Sequence, residues 1–484
     1  MTEAVYAGAV IEERQLLKSL RWYDGFVIAL ANPGFLIGAL GGSIGVLGGW
    51  GAMTLWGISA AIGVLQNWIY SEQAAMFPDK TGGISLYAHE GWRKYFTLVG
   101  PVATFGYWFA WSSVLASFGL LIGGIVQAEW FASGDPWVAA GDRWSFDTGP
   151  VTAGFPHVVA ALLIVAVWLF NIFGVRPALW VGYATGALMM IPLGVFIFLP
   201  YLTGDWESSN MTWTVPDWQT AIAWLWIMGW SAYGVEACAT FAPEYKDTVR
   251  DTSLALRSAA VFSLGVYILL PLGLGGTLPQ EEIAANPYAF YVPAFDLLVG
   301  GASNLMVVLL IASLVLSMNT ATADGSRALY GIARDDMTLK QLNHLNRFHV
   351  PARAMTVDML INLALVFFVG NILAIYVVGN LGYILAHVFA LSAFVLLRRD
   401  RPDWPRPIKL SRLWVPIALA LTAINLFFTV IGVWYTEKIG YGGTKEVLYG
   451  VAILLISILL FLFRRIVQDG ERPHWREETP TMPA

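Results

Sequence analysis

Apolar stretches of about twenty residues recur along almost the whole of this 484-residue chain, and no other feature limits its fold so strongly. A helical run of that length matches the roughly 30 Å hydrocarbon core of a bilayer. Inside that core every backbone N–H and C=O must be paired within the segment, so such spans are helices. Twelve can be read, over 24–47, 52–76, 95–126, 156–173, 178–202, 220–243, 257–278, 303–323, 354–370, 372–397, 414–435 and 447–465, with spans nine and ten parted at Gly370–Asn371. The composition agrees, with 57% hydrophobic and 13% charged residues, where soluble domains carry roughly 25% charge. The 22 tryptophans suit membrane–water interfaces. A lone cysteine, Cys238, rules out a disulfide framework within one chain and a cysteine zinc site, so no metal or other cofactor is expected. A net charge of −5 argues against nucleic acid as a partner and leaves membrane lipids as the surroundings.

Basic residues orient these spans. With the N-terminus inside, 25 of the 28 lysines and arginines fall in inward segments, and only Arg143, Lys438 and Lys445 fall outside. That asymmetry obeys the positive-inside rule and predicts a multi-pass protein of the cell membrane with both termini cytoplasmic. It also divides the chain. Residues 1–23 form a cytoplasmic segment, 24–202 hold spans one to five, 203–219 an extracellular loop, 220–398 spans six to ten, 399–465 the last two spans and 466–484 a cytoplasmic tail. Because five is odd, the second block enters the membrane from the side opposite the first. Inverted repeats with interrupted helices at matching positions point to the binding site of a secondary transporter. Both leading spans carry such interruptions, "ANPGFLIGALGG" in the first and "GWSAYGVEA" in the sixth. Proline lacks a backbone donor and glycine weakens a helix, although tight helix packing also uses small residues.

Longer stretches carry a resemblance. "WSAYGVEACATFAPEYKDTVRDTSLAL" resembles the sixth helix of the amino acid–polyamine–organocation superfamily, and "YSEQAAMFPDKTGGISLYA" the end of its second. "NIFGVRPALW" is similar to its turn between helices four and five, and "NTATADGSRALYGIARDDM" to its eighth helix. The resemblance implies an all-α fold of twelve transmembrane helices, a five-plus-five inverted repeat with broken helices one and six, followed by helices eleven and twelve. It also implies substrate binding at the two breaks. Carried onto this chain, Asn32 and Gly34 face the substrate from helix one, and Trp230, Ser231, Ala232 and Gly234 from helix six. Exposed amides at a half-helix N-terminus suit a carboxylate, and unwound carbonyls suit an ammonium group. The chain departs from the pattern at Asn32-Pro33-Gly34-Phe35-Leu36, where relatives have glycine–small–glycine and then Ile-Phe. Pro33 removes a donor, which leaves room for a polyamine or another organic solute.

Three readings of Glu236 stand open: a proton site that loads and releases as access alternates, a counter-ion for a substrate ammonium, and a neutral group bonded to a carbonyl at the break. Glu244, beside Lys246, reads as a solvated helix-end charge, with an intracellular gate as the rival. Asp324 is expected to pair with Arg327 rather than to couple transport. Glu72 and Asp24 read as helix-end contacts, Asp358 as a residue reaching the inner mouth, and His387 as a satisfied packing histidine. Tyr107 and Trp230 are candidate lids, with Trp108 and Trp111 nearby, able to make cation–π contact with an ammonium. Trp224 and Trp226 are expected to face lipid or the membrane interface. Some superfamily members carry a lysine in helix five where this chain aligns Met189. A sodium site from helix-one carbonyls and Ser313 or Ser317 is the alternative to proton coupling or exchange.

A membrane-embedded enzyme is the rival of a different class. Yet the six histidines include no His-Glu-x-x-His, there is no phosphate-cradling Gly-Lys-Ser/Thr loop, and the one cysteine has no nearby histidine. A channel would call for rings of charge or carbonyls around an axis. The reading reached is a transporter, not an enzyme, moving a small amino acid or related amine by alternating access.

Overall fold

Without water to bond to, apolar segments close their backbone hydrogen bonds internally, and the chain is accordingly built of helices. A computed structural model describes residues 15–131, 146–147, 151–287, 289–368, 372–440 and 443–480. The turn expected at Gly370–Asn371, and Arg143, lie outside the described residues. The α-helices are α1 (Trp22–Ala29), α2 (Ala31–Met76), α3 (Gly83–Trp92), α4 (Val99–Ser112), α5 (Val114–Trp130), α6 (Phe155–Ile172), α7 (Val175–Thr203) and α8 (Trp218–Ala232). A 3₁₀ segment over Gly234–Glu244 follows, then α9 (Thr248–Thr277), α10 (Gln280–Ala285), α11 (Tyr291–Val299), α12 (Ser303–Arg334), α13 (Ala352–Phe368), α14 (Ile372–Asp400), α15 (Trp414–Trp434) and α16 (Thr444–Phe463). One short antiparallel pair joins Phe146–Asp147 to Thr152–Ala153, with Phe146 opposite Ala153.

Local chemistry marks the helix ends. Asp217 caps α8 by accepting from Thr220 N, and Asp247 caps α9 by accepting from Arg250 N, each satisfying one orphan donor of a first turn. Gly48 leaves the helix with φ of 77°, which parts α2 into two helical stretches. A Cβ there would come within 2.5 Å of the Thr212 carbonyl, so both conformation and space require glycine.

Among the described residues nine helical stretches are long and apolar enough to cross a membrane. They differ from the twelve expected at three places. Expected spans one and two merge in part into one stretch over Leu36–Met76. Span six is shortened by its break to the 15 residues of α8 plus the 3₁₀ turn. Span nine is 17 residues long.

The helices sort by what covers them. α2 packs along α8 and α9, and α14 packs against α3, α4 and α15. The α4–α5 stretch is 89% buried over its apolar window, whereas α6 is 22% buried. Trp180 and Trp434 stand 75% and 79% exposed on such outer helices, as side chains that meet lipid do. Trp224 and Trp226, expected at the lipid surface, are instead fully buried. The physical reason is α15, which lies over α8; a Cβ on its Gly432 would come within 2.4 Å of the Trp226 ring.

Candidate functional site

Two helix breaks meet in the middle of the bundle. The first span stops at Ala29, turns through Leu30 and restarts at Ala31, two residues ahead of Pro33. Pro33 therefore sits in the first turn of α2, where a missing N–H interrupts no helical bond. The sixth span stops at Ala232 and continues past Tyr233 as the 3₁₀ segment. Asn32 bridges the two. With its amide oriented to suit, its nitrogen donates to Gly234 O at 3.3 Å and its oxygen accepts from Val235 N at 2.5 Å. A Cβ on Gly234 would meet that side chain at 2.6 Å, so the bridge needs glycine.

Hydroxyls donate to the backbone carbonyls around the first break. Ser317 donates to Ala31 O at 2.8 Å, Thr320 to Ile28 O at 3.2 Å and Tyr267 to Asn32 O at 3.0 Å. Ser231 is tied to the same Tyr267 hydroxyl at 2.7 Å. Gly34 lies against Ser317, 2.2 Å from where a Cβ would stand, and the Ala232 carbonyl faces Gly63 of the second span. Asn32, Gly34, Ser231, Ala232 and Gly234 are thus brought together as the lining of one joint between helices.

Three fully buried carboxyl groups line one side of α4, and that helix supplies a donor to each. From α4, Tyr107 donates to Asp324 Oδ2 at 2.8 Å, Trp108 to Asp358 Oδ1, and Trp111 to Glu236 Oε1 at 3.4 Å. Tyr383 adds a 2.7 Å bond to Glu236 Oε1, and Thr240 a 2.5 Å bond to Asp324 Oδ1. Among the described residues Glu236 Oε2 has no partner. A narrow gap, no larger than a water molecule, lies next to Trp111 and Tyr383, the donors to Glu236, and is completed by Ala110, Val114 and Trp230. Trp230 packs at a tilt against Tyr376, ring centroids 4.6 Å apart. Gly34, Met189 and Ser313 line a separate apolar cavity, and Tyr107 lines neither.

The charged residues pair differently from the sequence expectation. Asp324 does not pair with Arg327; its two oxygens are taken by Thr240 and Tyr107, while Arg327 turns to Glu244. Nor is Glu244 solvated. It accepts from Arg327 Nε at 2.5 Å and Nη2 at 3.0 Å, with both side chains 1% exposed, and the guanidinium stacks 4.2 Å over Phe241. The helix-end acids behave as expected: Glu72 binds Arg398 and Arg406, and Asp24 binds Tyr183 and Arg21 N. His387 Nδ1 bonds the Tyr70 hydroxyl at 2.7 Å, and Asp358 is buried against Trp108 rather than open at a mouth. On α3, outside the apolar spans, Glu90 faces Lys80 at 2.6 Å, Arg401 at 2.7 Å and Arg93 at 3.5 Å. Burial by itself would raise its pKa, but Lys80 and the other surrounding cations outweigh that and hold it down to about 2. Reading the residues alone missed Tyr383, Tyr267 and Thr320, which are ordinary span residues until the helices are packed together. Asp358 carried a signal, as an acid inside an apolar span.

The features together define a class: a polytopic helical membrane protein in which two discontinuous helices meet beside a buried carboxyl group. The amino acid permease family matches residues 22–459, and the chain belongs to that family. It is 23% identical to the glutamate/serine transporter AimA of Bacillus subtilis over 87% of this chain and 85% of that protein. Against the gamma-aminobutyric acid permease of the same organism the identity is 21%, over 94% and 96%. The putative arginine/ornithine antiporter of Escherichia coli is 25% identical over 47% of this chain, and the match spans 48% of its length. The chain thus matches only about half the length of that antiporter.

Proposed function

We propose that this protein is a secondary transporter that moves a small amino acid or related amine across the cell membrane by alternating access. The observation that carries the reading is the joint at Asn32 and Gly234, where two helix breaks meet next to the buried, half-satisfied Glu236. Such breaks offer backbone polar groups to a bipolar solute at membrane depth. Relatives whose names describe glutamate/serine, gamma-aminobutyric acid and arginine/ornithine transport support the substrate class without selecting within it.

In this reading the chain crosses the membrane twelve times. Gly48 serves as the turn between the first two crossings, and α8 with its 3₁₀ extension and α13 serve as the shorter ones. Spans one to five and six to ten form the inverted repeat, and the basic end of the bundle is cytoplasmic. Substrate binds at Asn32, Gly34, Trp230, Ser231, Ala232 and Gly234, with Tyr107 behind the site fixing Asp324. The Glu244–Arg327 pair closes the cytoplasmic side and parts as that side opens. Glu236 carries the coupling proton or pairs with the substrate ammonium. One observation favours a second reading: the Ala31 and Ile28 carbonyls with the Ser317 and Thr320 hydroxyls gather oxygens of the kind a sodium ion prefers.

Radiolabelled uptake into proteoliposomes tests this. A panel of amino acids and polyamines is offered with a proton gradient, a sodium gradient or neither, to wild type and Glu236→Gln. The expected result is accumulation of an amino acid with the proton gradient, and a variant that exchanges but no longer accumulates. Accumulation driven by sodium alone, or normal accumulation by the variant, removes the proton role from Glu236. No movement of any panel member under any gradient overturns the substrate class.

A further inference from the structure

A run of cations at the basic end of the bundle has no role in the transport reading. Lys18, Arg176 and Arg347 line one groove, and Arg21, Arg176 and Lys246 line its continuation, with Ser19 and Arg176 common to both. Elsewhere on this end the buried acids are matched to guanidiniums, as Glu72, Glu90 and Glu244 are. Here, among the described residues, the cations are left over. The one acid in the lining, Asp24, is already taken by the Tyr183 hydroxyl and by Arg21 N at 2.6 Å. Among the described residues Lys18 alone of the five comes near a carboxylate, Asp79 at 3.9 Å, and both ends of that pair are well exposed.

The groove is built rather than accidental. One wall is the turn between α6 and α7, where Gly174 takes φ of 125° and Phe173 packs edge-on against Phe348 at 5.5 Å. Asn346 donates to Ile172 O at 2.7 Å and holds the second wall against the first. The third wall is the segment 15–20, tied to His349 Nδ1 through Gln15 O at 2.8 Å and to Glu244 O through Ser19 N and Leu20 N, each at 2.9 Å. These bonds hold like charges together that would otherwise separate.

The groove opens toward lipid. It sits at the end of α6 and α7, whose apolar windows are 22% and 33% buried. Phe173 and Trp180 project beside it, 50% and 75% exposed. A ligand that reaches these cations from that side carries an anionic head on an apolar body. We propose that this groove binds the headgroup phosphate of an anionic phospholipid of the facing leaflet, with Arg176 and Arg347 as the phosphate-binding pair and Phe173 and Trp180 against the acyl chains. Arginine suits phosphate because its fork of N–H donors matches two phosphate oxygens, and clustered cations beside a membrane attract anionic lipid.

The full-length protein in detergent, offered phosphatidylglycerol or phosphatidylcholine and read by native mass spectrometry, tests the proposal. Wild type is expected to retain phosphatidylglycerol preferentially. Arg176→Ala/Arg347→Ala is expected to weaken that retention about thirtyfold, at roughly the worth of a surface cation toward anionic lipid for each removal. Arg176→Lys, which keeps the charge, is expected to recover part of it, and Arg412→Ala, an exposed cation outside the groove, to change nothing. Among the described residues neither alanine change removes a carboxylate partner, and unchanged elution on size exclusion checks the fold. Equal retention of both lipids by wild type, or undiminished phosphatidylglycerol on the double variant, overturns the proposal. So does displacement of the lipid by millimolar inorganic phosphate, which would make the occupant a free anion.

Discussion

At the basic end of the bundle Glu72, Glu90 and Glu244 each face at least one guanidinium, whereas nearer the joint Glu236, Asp324 and Asp358 face hydroxyls and indoles. All six are buried. The difference lies in what each environment does to the two protonation states. A guanidinium beside a buried carboxylate fixes the charge and makes the pair structural, because either partner alone is then stranded. Hydroxyl and indole donors hold an oxygen in place without supplying a compensating charge, so the group is free to gain or lose a proton or to meet a cation from elsewhere. The first arrangement suits a hinge or latch, the second a site whose charge must change during a cycle.

The largest effect separating the two groups is expected at the latch. Arg327→Ala leaves Glu244 charged, buried and unpaired, and removal of one partner from such a pair destabilises by about 3–5 kcal/mol. Thermal unfolding of the purified protein reads this directly, and Glu244→Leu/Arg327→Met is expected to regain most of the loss. A loss below about 1 kcal/mol in Arg327→Ala would erase the distinction between latch and interior.

Acid provides the next test. Glu90 has its pKa depressed from 4.5 to about 2 in the folded chain. A depressed folded value contributes stability that is full above the unfolded pKa and is lost as pH falls toward the folded one. The window is therefore pH 4.5 to about 2, and the contribution is about 3 kcal/mol. Unfolding temperature is expected to fall through that window in wild type. Glu90→Gln, which carries no titrating group there, is expected to be less stable at neutral pH and to have a flatter acid limb.

Much of this contrast was beyond the reach of the sequence, for a physical reason. The spans and the two interruptions are local: apolar length, Pro33 and the glycines around Trp230 announce them, and the structure puts the breaks within a few residues of those positions. The partner of a buried acid is not local. Asp324 and Arg327 are three residues apart, which suggests a pair along one helix face, yet Arg327 bonds Glu244 from 83 residues away and Asp324 bonds Tyr107 from 217 away. "GYWFAWSS" read as a possible lid, because an aromatic cluster looks the same whether its polar edges meet a substrate, lipid headgroups or acids from three other helices.

Smaller effects are expected inside. Glu236→Gln and Asp324→Asn keep shape and most hydrogen-bonding capacity, so each is expected to change stability by about 1 kcal/mol or less, while Asp324→Ala strands the Tyr107 and Thr240 donors and costs about 1–3 kcal/mol. Thermal unfolding of the three variants side by side checks the order. An Asn variant as damaging as the Ala variant would mean that the charge itself holds the interior together, as it does at the latch.

The finest test uses the two tyrosines that stand between the interior acids. Tyr383 donates to Glu236 and Tyr107 to Asp324, and their rings stack with centroids 6.1 Å apart. Each Tyr→Phe change removes one hydroxyl with little change of volume and is expected to cost about 0.5–1.5 kcal/mol. If the two acids are held independently, the double variant equals the sum of the singles to within about 0.5 kcal/mol. A larger coupling would mean that the state of Glu236 is felt at Asp324 through the stacked pair, so that the interior acids act as one unit. Independence would instead leave Glu236 as a site by itself, with Asp324 an anchor that keeps Tyr107 and Thr240 in register. Either result sharpens the contrast with the latch, where no hydroxyl intervenes and charge meets charge directly.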